Sequence, residues 1–429
     1  MNQSAFRKTG GLLCFCFILW GCGGGSSAPG NSTQPPPVQS AQVPRSAIKH
    51  LMIVVMQNSS FDHLFGKFPG VNGLDSSLPS YHQKDQAGNT ISPKLLSDLS
   101  PADLNHTATS YQIAYDSGKM DKYALENGDT SMDYYDNTSI GTTADGQQFG
   151  VDTLWNYAQQ YAIADNFFAA AMASEPSNML YMTAGDTGTG ADPYGYPQLD
   201  ACTAGLFQKN QGSGANVTPP LTFTNVGDQL SARNISWGFY QEFFSNEQNG
   251  TCTHYVPQEN PFQYFQTTAN SANVQTFTMA GFNTMLSSGT LPSVMWVQPS
   301  PSHSMHPGQG SIADSIEWLD SFVQAVKSSN LWGSTAVMVV WDESGGWYDH
   351  VAPPQLSGTL GLGARVPVIM ISPFAKTGYV SSQQMDFVSI LRFIQWNWAL
   401  GTLNGPAQAA REAQSGNICD LLASTCGNP

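Results

Sequence analysis

The sequence predicts an α/β protein, a three-layer helix–sheet–helix sandwich with a central, mostly parallel sheet. Three observations carry this. Apolar runs rich in Val, Ile and Met recur at residues 51–56, 293–299, 336–341 and 366–372, each bounded by polar or turn-forming residues. Continuous runs of that length suit strands buried on both faces. A helical stretch, residues 312–329, separates the second run from the third, and strand, helix, strand implies a parallel or mixed sheet covered by helices.

In chain order, residues 1–22 read as a signal peptide. Arg7 and Lys8 precede an apolar stretch from Leu12 to Trp20 that is too short to span a bilayer as a stable helix. Leu19-Trp20-Gly21-Cys22 is like a bacterial lipobox, in which the cysteine is lipidated and becomes the mature N-terminus; ordinary cleavage nearby is the alternative. Residues 23–46 are a Gly/Ser/Pro-rich tether, and residues 47–429 are expected to form one domain. Within it, helices are expected over residues 109–126 and 151–172, and residues 187–260, rich in Gly, Asn, Thr and Pro, read as an elaborated loop region. No internal repeat is visible.

Hydrophobic residues make up 41% of the 429 and charged residues only 11%, with 41 Gly and 26 Pro, which indicates a globular protein with many ordered loops. The net charge of -15 argues against a nucleic-acid binder, which needs a basic face. It suits an exported protein and leaves negative groups for a cation. Of seven cysteines, Cys14 and Cys16 leave with the signal and Cys22 would carry lipid. In an oxidising compartment the remaining four fit two disulfides, with Cys419–Cys426 and Cys202–Cys252 favoured by proximity among three connectivities. Their spacing does not suggest zinc.

Polar clusters then sit at strand exits and loops. They are Gln57-Asn58, Asp103 with His106, Ser174-Glu175-Pro176-Ser177-Asn178, Asp342-Glu343 followed by Gly345-Gly346 and Asp349-His350, and the pair His303 and His306. Asp, Glu, Asn and a hydroxyl are hard oxygen ligands suited to one divalent metal cation. A hydroxyl in such a place is a candidate nucleophile, and a nearby histidine can protonate a leaving oxygen. That combination suits attack on phosphorus.

The stretches MQNSSFDHLFG, GKMD, ADNFF, GTLPSVMWVQP, DESGGWYDHVAPP and RVPVIMISPFAKTG occur in this order between Ile48 and Leu400. On them the chain resembles the bacterial and fungal phosphoesterase family of phospholipases C and acid phosphatases, with an alkaline phosphatase-like fold. The resemblance implies a metal site of Asn58, Asp342, Glu343 and a serine of the 174–177 segment, with Gln57 at its edge. It also implies roles near the phosphate for His106 and His306, and a small phosphate ester or phospholipid as substrate. Ser174 is the favoured nucleophile because it keeps Ser-x-Pro, with Ser177 the rival.

Three departures stand out. The family's Glu-Asn-Arg-Ser is here Gln57-Asn58-Ser59-Ser60, which removes a negative charge. Its Asp-His-Thr-Ser is Asp386-Phe387-Val388-Ser389, and the nucleophile segment carries one extra residue. His303 reads as a surface residue, Glu175 as structural or solvated, and His350 as either a loop lock or a catalytic group. A sulfatase is disfavoured because position 178 is Asn where the aldehyde-forming signature has Arg, and a non-catalytic phospho-ligand scaffold is the other rival. The chain ends soon after Leu400, so the C-terminal β modules of the larger phospholipases are not expected, which inclines the reading towards a phosphatase.

Overall fold

Leu51 to Met56 are all fully buried. Successive side chains of a strand point to opposite faces, so a strand buried at every position must be covered on both. This strand, β1 (His50–Met56), lies in the middle of an eight-stranded sheet. The others are β2 (Ala162–Ala164), β3 (Trp237–Glu242), β4 (Val274–Phe277), β5 (Val294–Gln298), β6 (Thr335–Trp341), β7 (Val368–Ile371) and β8 (Tyr379–Ser381). Their order is β4-β3-β5-β1-β6-β7-β2-β8. All neighbouring pairs are parallel except those of β7, which runs antiparallel to both β6 and β2. The computed structural model describes residues 43–188, 221–244, 254–356 and 361–423, with the backbone of three short strands between 196 and 217.

The four runs read as strands all fall in this one sheet. The helix expected after residue 312 is Ile312–Lys327, capped by Ser311, whose hydroxyl accepts from Asp314 N at 3.0 Å. It buries Ile312, Ile316, Leu319, Phe322, Val323 and Val326 on one stripe, while Ser321 and Gln324 face solvent.

Two expected helices are shorter than their spacing suggested. The helix begun at Val151 ends at Gln160, and the chain enters β2, where Ala162, Ile163 and Ala164 are buried between β7 and β8. Three small apolar residues carry too little pattern to distinguish a helix turn from a buried strand. The helix Ala108–Tyr115 stops where Asp116 and Ser117 take positive φ (40° and 58°), and a second short helix, Tyr123–Asn127, follows. Inside the region read as elaborated loop, Val226–Ala232 is helical and β3 belongs to the central sheet.

The signal peptide and most of the tether (1–42) lie outside the described residues. So do Cys202, Cys252 and Cys426, and with them both expected disulfides; Cys419 is nearly buried. Among the described residues no helix is long and apolar enough to cross a membrane.

Candidate active site

β1 and β6 are parallel neighbours with Met56 paired to Trp341, so Gln57-Asn58 and Asp342-Glu343 leave the sheet side by side at its C-terminal edge. Backbone bonds lash the two exits together. Asp342 N donates to Met56 O at 3.0 Å and Ser59 N to Glu343 O at 3.0 Å. Asp342 Oδ1 accepts from Asn58 N at 3.0 Å and Glu343 N at 2.7 Å. Its other oxygen, Oδ2, is buried with no hydrogen-bond partner among the described residues.

The double glycine that follows is explained by crowding. Gly345 has φ 62°, and a Cβ there would lie 2.6 Å from Asn58 Cβ; Gly346 has φ 80°, and its Cβ would lie 2.9 Å from Asn105 O. Only glycine lets the 342–350 loop close against both neighbouring loops.

Ser174 is the N-cap of helix Glu175–Ala184, with an extended backbone and no capping bond from its hydroxyl. Asn178 fixes the approach: its Oδ1 accepts from Ala171 N at 2.9 Å and its Nδ2 donates to Ala173 O at 2.9 Å. Ser177 is fully buried, whereas Ser174 is partly exposed at the helix end. The helix start also brings Glu175 to the site. Ligand atoms of Glu175, His106 and Glu343 lie within 4.8 Å of one another, so Glu175, read from the sequence as structural or solvated, lies among the groups of the candidate site.

Both histidines face inward through the same atom. His106 Nδ1 donates to Leu104 O at 2.7 Å and His306 Nδ1 to Pro307 O at 2.8 Å. A carbonyl only accepts, so each Nδ1 carries the hydrogen and each Nε2 is the atom presented to the site. His106 Nε2 lies 3.8 Å from Glu343 Oε1, His306 Nε2 accepts from Asn58 Nδ2 at 3.3 Å, and the two rings are 6.3 Å apart.

Two groups were not found by sequence reasoning. Tyr111 is buried and donates its hydroxyl to Glu343 Oε2. Glu259, on the turn Pro257–Glu259, is buried and accepts from Gln57 Nε2. Neither carries a local signal beyond its own residue type, because each reaches the site only through packing of distant segments.

The electrostatics are one-sided. Burial first, then the charges of Glu343 and Glu175, raise the pKa of Asp342 well above the usual carboxylate range. Burial and Glu175 do the same to Glu259. Buried carboxylates facing one another need a positive partner or a proton. Asp342, Glu343 and Asn58 offer hard oxygen atoms at two adjoining strand exits, and Asp342 Oδ2 is unpartnered, so this donor set fits a divalent cation.

A second buried acid cluster makes the contrast. Asp62 and Asp349 are neutralised by Arg365, whose Nη2 lies 3.0 Å from Asp62 Oδ1 and whose Nε lies 2.9 Å from Asp349 Oδ1. His350 Nδ1 sits 2.6 Å from Asp62 Oδ2. His350 is thus a loop lock. His63, stacked at 3.8 Å on Trp347 and pushed down to about 3 by burial, stays neutral in the same support layer. Substituting Arg365 by Met leaves two buried carboxylates without their shared guanidinium, with only His350 beside Asp62. The expected loss is about 3–5 kcal/mol in urea denaturation, and a loss under about 1 kcal/mol would show that the cluster is neutralised otherwise.

Two further readings change. His303 is paired with Glu242 at 2.8 Å and is partly covered rather than a plain surface residue. Phe387, where the family has histidine, is buried against Phe167, while Asp386 caps its helix and pairs with Arg411 at 3.1 Å.

The profile of the Phosphoesterase family matches residues 48–401. The chain is 27% identical to the non-hemolytic phospholipase C of Pseudomonas aeruginosa, over 81% of this chain and 53% of that protein. It is 25% identical to phospholipase C A of Mycobacterium tuberculosis, over 81% of this chain and 72% of that protein. It spans about half the length of the first curated relatives it matches. A solved alkaline phosphatase superfamily protein from Vibrio parahaemolyticus aligns at TM-score 0.38 and 11% identity, covering 82% of this chain and 77% of the other.

Proposed function

This chain belongs to the Phosphoesterase family, and from that membership we propose that it is a metal-dependent phosphoric ester hydrolase acting through a phosphoserine intermediate. The observation that carries the proposal is convergence. Asn58, Asp342, Glu343 and the start of helix Glu175–Ala184 come from three distant parts of the chain and meet beside two inward-facing Nε2 atoms.

In this reading Asn58, Asp342 and Glu343 hold one divalent cation, with Ser174 beside them and Gln57 at the edge. When bound, the cation offsets the carboxylates and stabilises negative charge on the phosphoryl oxygens. Ser174 Oγ attacks phosphorus from the helix N-terminus, where the macrodipole and backbone N–H groups favour an anion. The bare Nε2 of His306 or His106 would take the Ser174 proton as Oγ attacks, hand it to the departing alcohol, take another from the attacking water and return it to Ser174. The leaving alcohol departs first, and water then releases the phosphate and restores Ser174.

The substrate is a phosphate ester, and the names of the relatives favour a phospholipid diester over a small monoester. The leader reading completes the proposal: an exported protein tethered through a lipidated Cys22, which the mature N-terminal residue would test.

The deciding assay is turnover of a chromogenic phosphomonoester and of a phosphocholine diester before and after chelation. Hydrolysis of at least one is expected, lost with chelator and restored by a divalent cation. Activity that survives exhaustive chelation would remove the metal. Inertness towards both esters with every cation tried would leave the non-catalytic scaffold.

A further inference from the structure

Glu242, the last residue of β3, gathers three donors, and each belongs to the loop that delivers His306 or to the helix that follows it. Its Oε2 accepts from Ser300 N at 2.9 Å and from His303 Nδ1 at 2.8 Å, and its Oε1 accepts from Trp318 Nε1 at 3.2 Å. An ionised carboxylate only accepts, so His303 Nδ1 carries the hydrogen. The placement follows from register. Gln241 pairs with Gln298 at the end of β5, so Glu242 stands level with the point where the loop leaves the sheet. There the chain turns, with His303 N donating to Ser300 O at 2.8 Å.

Further along the loop, Met305 takes φ 71°, a conformation costly to any residue with a Cβ. Such strain persists only where the surrounding bonds fix it. Met305 N donates to the buried Ser315 Oγ at 3.0 Å, and Ser304 O accepts from Gln57 N at 2.8 Å. Immediately after this step comes His306, whose Nε2 accepts from Asn58 Nδ2 at 3.3 Å. The aim of that ring therefore depends on where the 300–303 turn is held, and Glu242 ties the turn to β3.

We propose that Glu242 and His303 are positioning residues: together they clamp the turn before Met305 so that His306 presents Nε2 to the reacting phosphate ester. This rests on the proton-carrying role given to His306 above.

The alternative is a partly exposed pair that supports the fold and nothing else. The two readings part once His306 is gone. A positioning residue then has nothing left to position, so its effect on rate should vanish, whereas a purely structural pair costs the same with or without His306. The test is kcat/KM of the full chain, with its supporting divalent ion, for para-nitrophenyl phosphocholine or para-nitrophenyl phosphate, whichever the wild type hydrolyses. The variants are His303→Ala, His303→Asn, His306→Ala and the double variant with Ala at both positions.

His303→Ala is expected to lower kcat/KM about 10- to 100-fold, the scale of a displaced reacting group. His303→Asn, which offers an amide donor close to where Nδ1 stands, should recover it to within about threefold of wild type. In the His306→Ala background, alanine at 303 should change the rate by less than about twofold. A His303→Ala variant within about threefold of wild type would overturn the proposal. So would an equal loss in both backgrounds, or failure of asparagine to recover the rate. If His303→Ala does not fold, Glu242→Gln takes its place in the cycle, because one amide oxygen cannot serve three donors, and its loss in the two backgrounds decides. Full activity of His306→Ala would instead fail the role of His306 itself, with the readings of Ser174 and the cation left standing.

Discussion

Replacing Ser174 by alanine is expected to lower phosphoester turnover by roughly 10⁴-fold or more while leaving the fold intact. Removing a nucleophile deletes the covalent route outright, and the remaining groups sustain only the residual rate that binding and electrostatics provide. The loop before it is held by Asn178 whatever residue stands at 174. Stability should change by no more than about 1 kcal/mol, as is usual for one partly exposed side chain. Rapid acid quench of the wild type with substrate should trap one phosphoryl group on the peptide containing Ser174, and the variant should trap none. Ser177→Ala is the control: it is buried, and its loss should leave turnover in place. If Ser177→Ala loses activity and Ser174→Ala keeps it, the extra residue in this segment shifts the nucleophile to 177. If both keep it, the covalent mechanism fails.

Asp342→Asn is expected to move activity and stability in opposite directions. Turnover should fall by roughly 10³-fold with divalent-ion affinity, since the substitution removes a charge from the site where phosphoryl oxygens need a cation. The metal-stripped protein should become more stable at neutral pH. Asp342 has a folded-state pKa raised by burial and by Glu343 and Glu175. A carboxyl that binds its proton more tightly when folded contributes stability fully present below its unfolded pKa and lost as pH rises through the folded one. Stripped wild type should thus lose melting temperature as pH is raised from about 5 to about 8, and stripped Asp342→Asn should lose less. Identical pH profiles for the two would mean that Asp342 is not the strained group, and an unaltered ion affinity would remove it from the site.

What could be read in the sequence follows from where information is local. Strands β1, β5, β6 and β7 announce themselves because each is a run of apolar, often β-branched residues buried on both faces. β3 mixes Trp237, Phe239 and Tyr240 with Gly238 and Gln241, and its place in the sheet comes from its partners β4 and β5 rather than from its own pattern. β2 is three residues of Ala and Ile, which continue the apolar spacing of the helix before them. At the site, Asn58, Asp342 and Glu343 were legible because polar groups at the mouth of a buried strand are costly unless a partner or a ligand meets them. Glu175, Glu259 and Tyr111 were not, because their significance is purely spatial. Glu259 meets Gln57 across 202 positions and Tyr111 meets Glu343 across 232, and no window along the chain contains both partners. The Gly345-Gly346 step belongs between these cases: its presence was visible, and its reason, the nearness of Asn58 and Asn105, required coordinates.

The central position of β1 bears on how the protein is made. It is the first strand of the sheet to be synthesised, yet its two neighbours are β5 and β6, and Asn58 meets Asp342 across 284 positions. Both edges of a strand that is apolar from Leu51 to Met56 thus stay open until most of the polypeptide exists, and unpaired apolar edges are templates for misassociation. Closing loops of that length is slow, so folding begun from the N-terminus has nothing to complete. The candidate site can therefore form only once the last third of the chain exists, when β1 is enclosed from both sides.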